Sequence, residues 1–188
     1  MNGLFEAGLE VQQFMEHRKW AFCFIGAVAV LRWGQARMTM DIDLSLFADY
    51  GKETGYIDPL LSNFESRISN PVEFALKNRV LLLRASNKVS VDISLAALPF
   101  ERRMIERSTL FQFAPDCPLL ICSAEDLIVQ KAFADRAKDW LDLEGIILRQ
   151  GRALDVPYIL ESLEPLCMIK EAPEILDKLH RILDVLKL

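Results

Sequence analysis

The chain has 188 residues, 52% of them hydrophobic, and a formal net charge of −5 at pH 7. That is enough apolar material for a substantial core, and the length fits one compact domain with a helical extension better than two independent domains. The acidic balance, with no basic tail or stripe, excludes a generic DNA-coating protein. No apolar run approaches membrane-spanning length and no signal-peptide pattern opens the chain, so the reading is cytoplasmic with no membrane partner.

In chain order, Phe5 to Lys19 is expected to form an amphipathic helix with Phe5, Leu9 and Phe14 near one side. Trp20 to Ile25 reads as a short buried strand, followed at once by Gly26 and then by a helical pattern from Ala27 to Trp33 that Gly34 closes. Strand, glycine and helix start together make a natural anion site. Glycine lets the backbone approach a phosphate, and the helix start offers free N–H groups and a positive dipole end.

The segment from Arg37 to Leu46 alternates polar and apolar residues, the period of a half-buried strand. Met38, Met40, Ile42, Leu44 and Leu46 are expected to face the core. Arg37, Thr39, Asp41, Asp43 and Ser45 are expected to share the other face. Asp49 to Gly55 reads as a loop. Ile57 to Ile68 reads as a helix with Pro59 in its first turn, and Val72–Leu76 with Val80–Leu83 as a hairpin around Asn78. Lys88 to Leu95 is a second alternating strand, with Lys88, Ser90, Asp92 and Ser94 on its polar face.

Leu98 to Glu106 reads as a helix. Leu110–Phe113 and Leu119–Cys122 read as strands around a Pro115-Asp116-Cys117-Pro118 turn. Helices are expected over Ala124–Ala137, Trp140–Arg149, Pro157–Met168 and Pro173–Leu186. Composition shifts near Ser123 from mixed α/β to all-helical, which divides the chain into an α/β catalytic part, 1–122, and a helical region, 123–188, packed on it.

The chemistry concentrates in the carboxylates. Asp41 and Asp43 on one strand face repel each other, and Asp92 can join them if the two alternating strands are neighbours. A hard divalent cation such as Mg²⁺ relieves that repulsion through oxygen ligands. Three carboxylates suit a pair of such ions clamping an in-line phosphoryl or nucleotidyl displacement. Arg37 serves as a counter-charge, or as a contact to substrate phosphate. The four cysteines, Cys23, Cys117, Cys122 and Cys167, lack metal-site spacing with each other or with His17 and His180. They read as buried, reduced thiols.

Gly26-Ala27, then Arg37-x-Thr39-x-Asp41-Ile42-Asp43, then Asp92 within a strand, resemble the nucleotidyltransferase superfamily of DNA polymerase β, and within it the minimal branch that includes the AbiEii-type toxins. The segment Ser123-Ala124-Glu125-Asp126-Leu127, with Lys131, Arg136, Lys138-Asp139 and Asp142, resembles the helical motif that follows the catalytic domain there. The resemblance spans about Phe22 to Ile147. It implies a nucleotidyltransferase fold, an α/β (α+β) arrangement with a mixed sheet flanked by helices and a C-terminal helical extension.

It further implies transfer of an NMP group from an NTP to a hydroxyl acceptor, with Asp41, Asp43 and Asp92 as metal ligands. Gly26, Ala27, Arg37 and Thr39 would serve the nucleotide, together with Lys131 as a nucleotide-binding cation and Asp139 beside it. The acceptors this fold serves include an RNA 3′ end, a protein hydroxyl or a small molecule, and the toxin branch adds an antitoxin protein as partner. Ala27 stands where the family usually has Gly or Ser. That substitution supports a second reading, a nucleotidyltransferase fold that binds nucleotide or a partner without catalysis.

Overall fold

The computed structural model describes residues 3–186. By internal packing they fall into two compact units, 3–28 with 38–122, and 29–37 with 123–186.

The first unit is built on a seven-stranded mixed sheet of order β3-β4-β5-β2-β1-β7-β6. Its strands are β1 (Phe22–Phe24), β2 (Asp41–Phe47), β3 (Glu65–Ser66), β4 (Val80–Arg84), β5 (Ser90–Ala96), β6 (Thr109–Ala114) and β7 (Cys117–Ile121). The two alternating strands are neighbours. β2 and β5 run parallel, with Asp43 opposite Asp92 and Asp41 opposite Ser90. Because side chains alternate along a strand, that register puts Asp41, Asp43 and Asp92 on one face. Ile42, Leu44, Leu46, Val91, Ile93 and Leu95 go to the other face and are buried.

Helix α1 (Gly3–His17) lies over the apolar face. A Cβ on its Gly8 would come within 3.1 Å of the Leu119 side chain and 3.7 Å of Ile42. The apolar side chains α1 buries are Leu4, Ala7, Val11 and Met15, while Phe5, Leu9 and Phe14 stay half-buried at the flank. Buried Gln12 clamps α1 to β7, donating to the Pro118 carbonyl at 3.0 Å and accepting from the Leu120 amide at 2.9 Å. Each of these partners would otherwise be a desolvated polar group.

Several expectations are corrected. Residues 37–40 are not strand, and Met38 and Met40 are 91% and 81% exposed rather than core. β2 pairs only from Asp41 because its neighbour β5 starts at Ser90, just past a turn in which Lys88 adopts φ 69°. Ser45, expected on the open face, is fully buried. The expected hairpin around Asn78 does not form, because residues 71–78 are helix α4 (Pro71–Asn78). Proline at the first helical position pre-sets φ, and Arg79 ends the helix in a left-handed conformation at φ 54°. The alternation of Val72, Phe74 and Leu76 therefore buries no sheet face, and all three are exposed.

Helix α3 (Thr54–Asn63) starts and ends earlier than expected. Pro59 lies inside it, and Glu65–Ser66 becomes the edge strand β3. Helix α5 (Pro99–Glu106) agrees with its expected span, as does α2 (Gly26–Trp33), which begins in the first unit and continues into the second.

The second unit holds α6 (Ala124–Ala134), α7 (Ala137–Gln150), α8 (Val156–Lys170) and α9 (Glu174–Leu186). Leu127, Ile128, Leu143, Ile146, Ile159, Leu163, Ile175 and Leu179 are buried there at helical spacing. α6 starts at a Ser123 cap that accepts from the Asp126 amide. It stops three residues short of the expected end, where Asp135 turns left-handed at φ 55°. The next helix, α7, resumes at Ala137, three residues before its expected start. Among the described residues no helix is long and apolar enough to cross a membrane. All four cysteines are buried.

Candidate active site

The strand pairing of the first unit gathers the candidate residues. Neighbouring strands lie about 4.8 Å apart, and residues two apart on one strand about 7 Å. Asp43 is thus one strand spacing from Asp92 and one strand repeat from Asp41. The face grades from open to closed, with Asp41 exposed, Asp43 and Asp92 half-buried and Ser45 buried. The Thr39 hydroxyl donates to Asp41 Oδ1 at 2.6 Å and orients that carboxylate.

Gly26 abuts Asp43. The Ile25 amide donates to the Asp43 carbonyl at 3.0 Å. A Cβ on Gly26 would lie 2.1 Å from Asp43 Oδ2, and Gly26 has φ +59°. Both the backbone conformation and the close approach therefore require glycine here. Ala27, in the first turn of α2, is buried at 5% exposure. Its small side chain leaves the backbone as the only part able to meet a phosphate.

A residue that sequence reasoning missed completes this face. Arg67 follows β3, and its Nη2 donates to Asp92 Oδ1. Burial pushes the Asp92 carboxyl above its ordinary range, Arg67 pulls it down, and the negative charge of Asp41 pushes it up again. No motif marks Arg67 in the sequence, and only the β3–β4–β5 pairing delivers it there.

By donor chemistry, the oxygens of Asp41 and Asp43 suit a hard cation. Asp92 is engaged by Arg67. Among the described residues no group of three or more His, Cys, Asp or Glu side chains converges as a metal-ion set. Carboxylate oxygens of Asp41, Asp43 and Asp92 are the donor type a hard divalent cation takes, with Oδ1 of Asp92 also accepting from Arg67.

In the second unit, Lys131 is buried at 6% exposure, with Nζ 2.8 Å from both Asp139 Oδ1 and Asp142 Oδ2. Arg136 Nε donates to Asp139 Oδ2. Arg37 Nε and Nη2 donate to the two Asp142 oxygens at 2.9 and 3.1 Å, a bidentate pair. Arg37 thus has a partner on α7. Burial raises the affinity of Asp139 and Asp142 for protons. Hydrogen bonds from Arg136 and Lys131 to the first, and from Arg37 and Lys131 to the second, more than reverse it, and both carboxyls sit below their ordinary 3.8.

The sign of the resulting pH dependence follows. Between the folded values and 3.8 the unfolded chain binds more protons, so this contribution to stability is present above 3.8 and lost as pH falls through the folded values. Thermal melts in a pH series are expected to hold near neutrality and to fall as pH drops past about 4. Arg37→Ala should make that acid-side fall shallower. An unchanged slope in this variant would count against the assignment.

A family model described as nucleotidyl transferase AbiEii toxin, type IV TA system, matches residues 17–155. No curated protein matches in sequence. Among solved structures, the chain is similar to the lincosamide antibiotic adenylyltransferase LnuA bound to lincomycin, at 16% identity and TM-score 0.50, over 75% of this chain and 94% of that one. It is similar to an antigenic nucleotidyltransferase-like protein from Paracoccidioides brasiliensis, at 15% identity and TM-score 0.53, over 94% and 93%. It is also similar to the antibiotic-resistance factor ANT(2'')-Ia, at 15% identity and TM-score 0.54, over 94% and 96%. At these identities the structural likenesses establish the fold.

Proposed function

Since the chain belongs to the AbiEii nucleotidyltransferase toxin family, we propose that it moves an NMP group from a nucleoside triphosphate to a hydroxyl acceptor and releases pyrophosphate. The observation that carries this reading is the acidic face of β2 and β5, with Asp43 opposite Asp92 and Gly26 closed against Asp43. Asp41 and Asp43 would hold Mg²⁺, which when bound would neutralise the triphosphate and favour departure of pyrophosphate. Gly26 and the α2 start, including the Ala27 amide, would orient a phosphate through backbone N–H groups. The acceptor hydroxyl would attack the α-phosphorus in line and lose its proton to Asp92. The bond from the α-phosphorus to the bridging oxygen breaks, and that oxygen leaves with its electron pair as pyrophosphate.

Residues 1–122 would be the catalytic part and 123–188 its helical complement. There Lys131 would serve to hold Asp139 and Asp142, its observed partners. Residence in the cytoplasm and pairing with an antitoxin belong to the same proposal. Family membership supports the antitoxin.

The test is transfer of α-phosphate label from each of the four nucleoside triphosphates, with Mg²⁺, into the RNA, protein and small-molecule fractions of a cell lysate. Label entering one fraction would name the acceptor class. Binding of Mg-nucleotide with no pyrophosphate release would support instead the binding-only reading that Ala27 raises.

Gly26→Ala is expected to cost about 1–2 kcal/mol from the left-handed backbone alone. The added methyl must also displace Asp43, 2.1 Å away. A 1 Å shift at a reacting centre costs roughly 10²-fold in rate. Melting and labelled transfer measured on the same preparation check both effects.

A further inference from the structure

Of the two strand-paired aspartates Asp43 and Asp92, Asp92 has an arginine on one of its two oxygens. Arg67 donates to its Oδ1. The backbone is arranged to bring it there. The Arg67 amide donates to the Leu82 carbonyl at 3.0 Å, and Leu82 is the residue of β4 directly opposite Asp92. The Ser66 hydroxyl fixes the chain just beyond, donating to the Ile68 carbonyl at 2.8 Å and accepting from the Ile68 amide at 3.1 Å. From Arg67 to Asp92 is therefore two strand spacings, roughly 10 Å, a span that only a long side chain crosses.

The guanidinium is also committed to this partner. Its Nε is buried without a hydrogen-bond partner. Pulling Asp92 away from Nη2 would leave a half-buried cation, its side chain 23% exposed, with less compensation, which is unfavourable. An arginine does not lose its charge in a protein. A divalent ion approaching Asp92 would have to displace one lone-pair contact and stand beside a fixed positive charge.

We propose that Arg67 is the resident cation at the Asp92 end of this face, so that the protein takes one divalent ion, on Asp41 and Asp43, where three bare carboxylates would take two. This rests on the metal-dependent reading above. Arg67 is in this account a positioning residue. It holds Oδ1 of Asp92 and so aims Oδ2 at the acceptor hydroxyl, supplying by a side chain the positive charge that a second ion would bring.

The experiment is Mn²⁺ binding to the full chain, counted by electron paramagnetic resonance and by calorimetry. The wild type is expected to bind one ion per chain, Arg67→Ala two, and Arg67→Lys one. Arg67→Gln stands in for Arg67→Ala if the latter fails to fold by circular dichroism. Two ions on the wild type, or one on the neutral variants, would overturn the proposal. With labelled transfer intact, either result leaves the nucleotidyltransferase reading standing. A wild type that binds no Mn²⁺ and transfers no label would remove both.

Discussion

Asp43→Asn is expected to abolish nucleotidyl transfer, with a loss of at least about 10²–10³-fold, the scale seen when a single charge-stabilising group is removed from a reacting centre. The substitution keeps the shape of the side chain and removes its charge. Asp43 faces Asp92 across the β2–β5 pairing and packs on Gly26, so an amide of equal size fits the same space. It also relieves like-charge repulsion along the face. The melting temperature should therefore hold or rise while label transfer disappears. Transfer retained by a folded Asp43→Asn protein would sink the site assignment.

Lys131→Ala is expected to show the opposite profile, with stability failing first. Lys131 Nζ stands 2.8 Å from each of two buried carboxylates, and its removal leaves both with one arginine apiece. Breaking a buried ionic cluster from one side costs about 3–5 kcal/mol. For a chain of this size that is a fall in Tm of roughly 6–20 °C. Replacing Asp142 with Asn in the same protein should recover part of the loss, because one uncompensated charge is gone. If Lys131→Ala melted like the wild type and lost only nucleotide affinity, Lys131 would be a substrate contact of the kind its motif implies. The two variants together separate chemistry on the acidic face from scaffolding in the helical unit.

The pattern of the chain was informative where a local rule and the tertiary outcome coincide. The glycine after β1 was legible because a strand running into a helix needs a residue free to take positive φ. The structure places Gly26 at φ +59°. Asp41, Asp43 and Asp92 were legible because period-two alternation puts them on the polar side of buried strands. The all-helical region after Ser123 was legible from the shift in composition, and the mixed sheet from the family resemblance. Alternation misled where it was not sheet pairing that decided the backbone. Met38 and Met40 continue the pattern of β2 without a neighbouring strand and are exposed. Val72, Phe74 and Leu76 alternate within a helix that Pro71 starts and Arg79 stops.

Local sequence thus determined which residues carry charge and glycine freedom, because those properties depend on one to four neighbouring positions. Only the tertiary structure decided which charges meet. Arg67 reaches Asp92 across 25 positions of sequence, and Arg37 reaches Asp142 across 105. Coulombic attraction between long side chains depends on where strands pair and helices turn, and no short-range pattern encodes that.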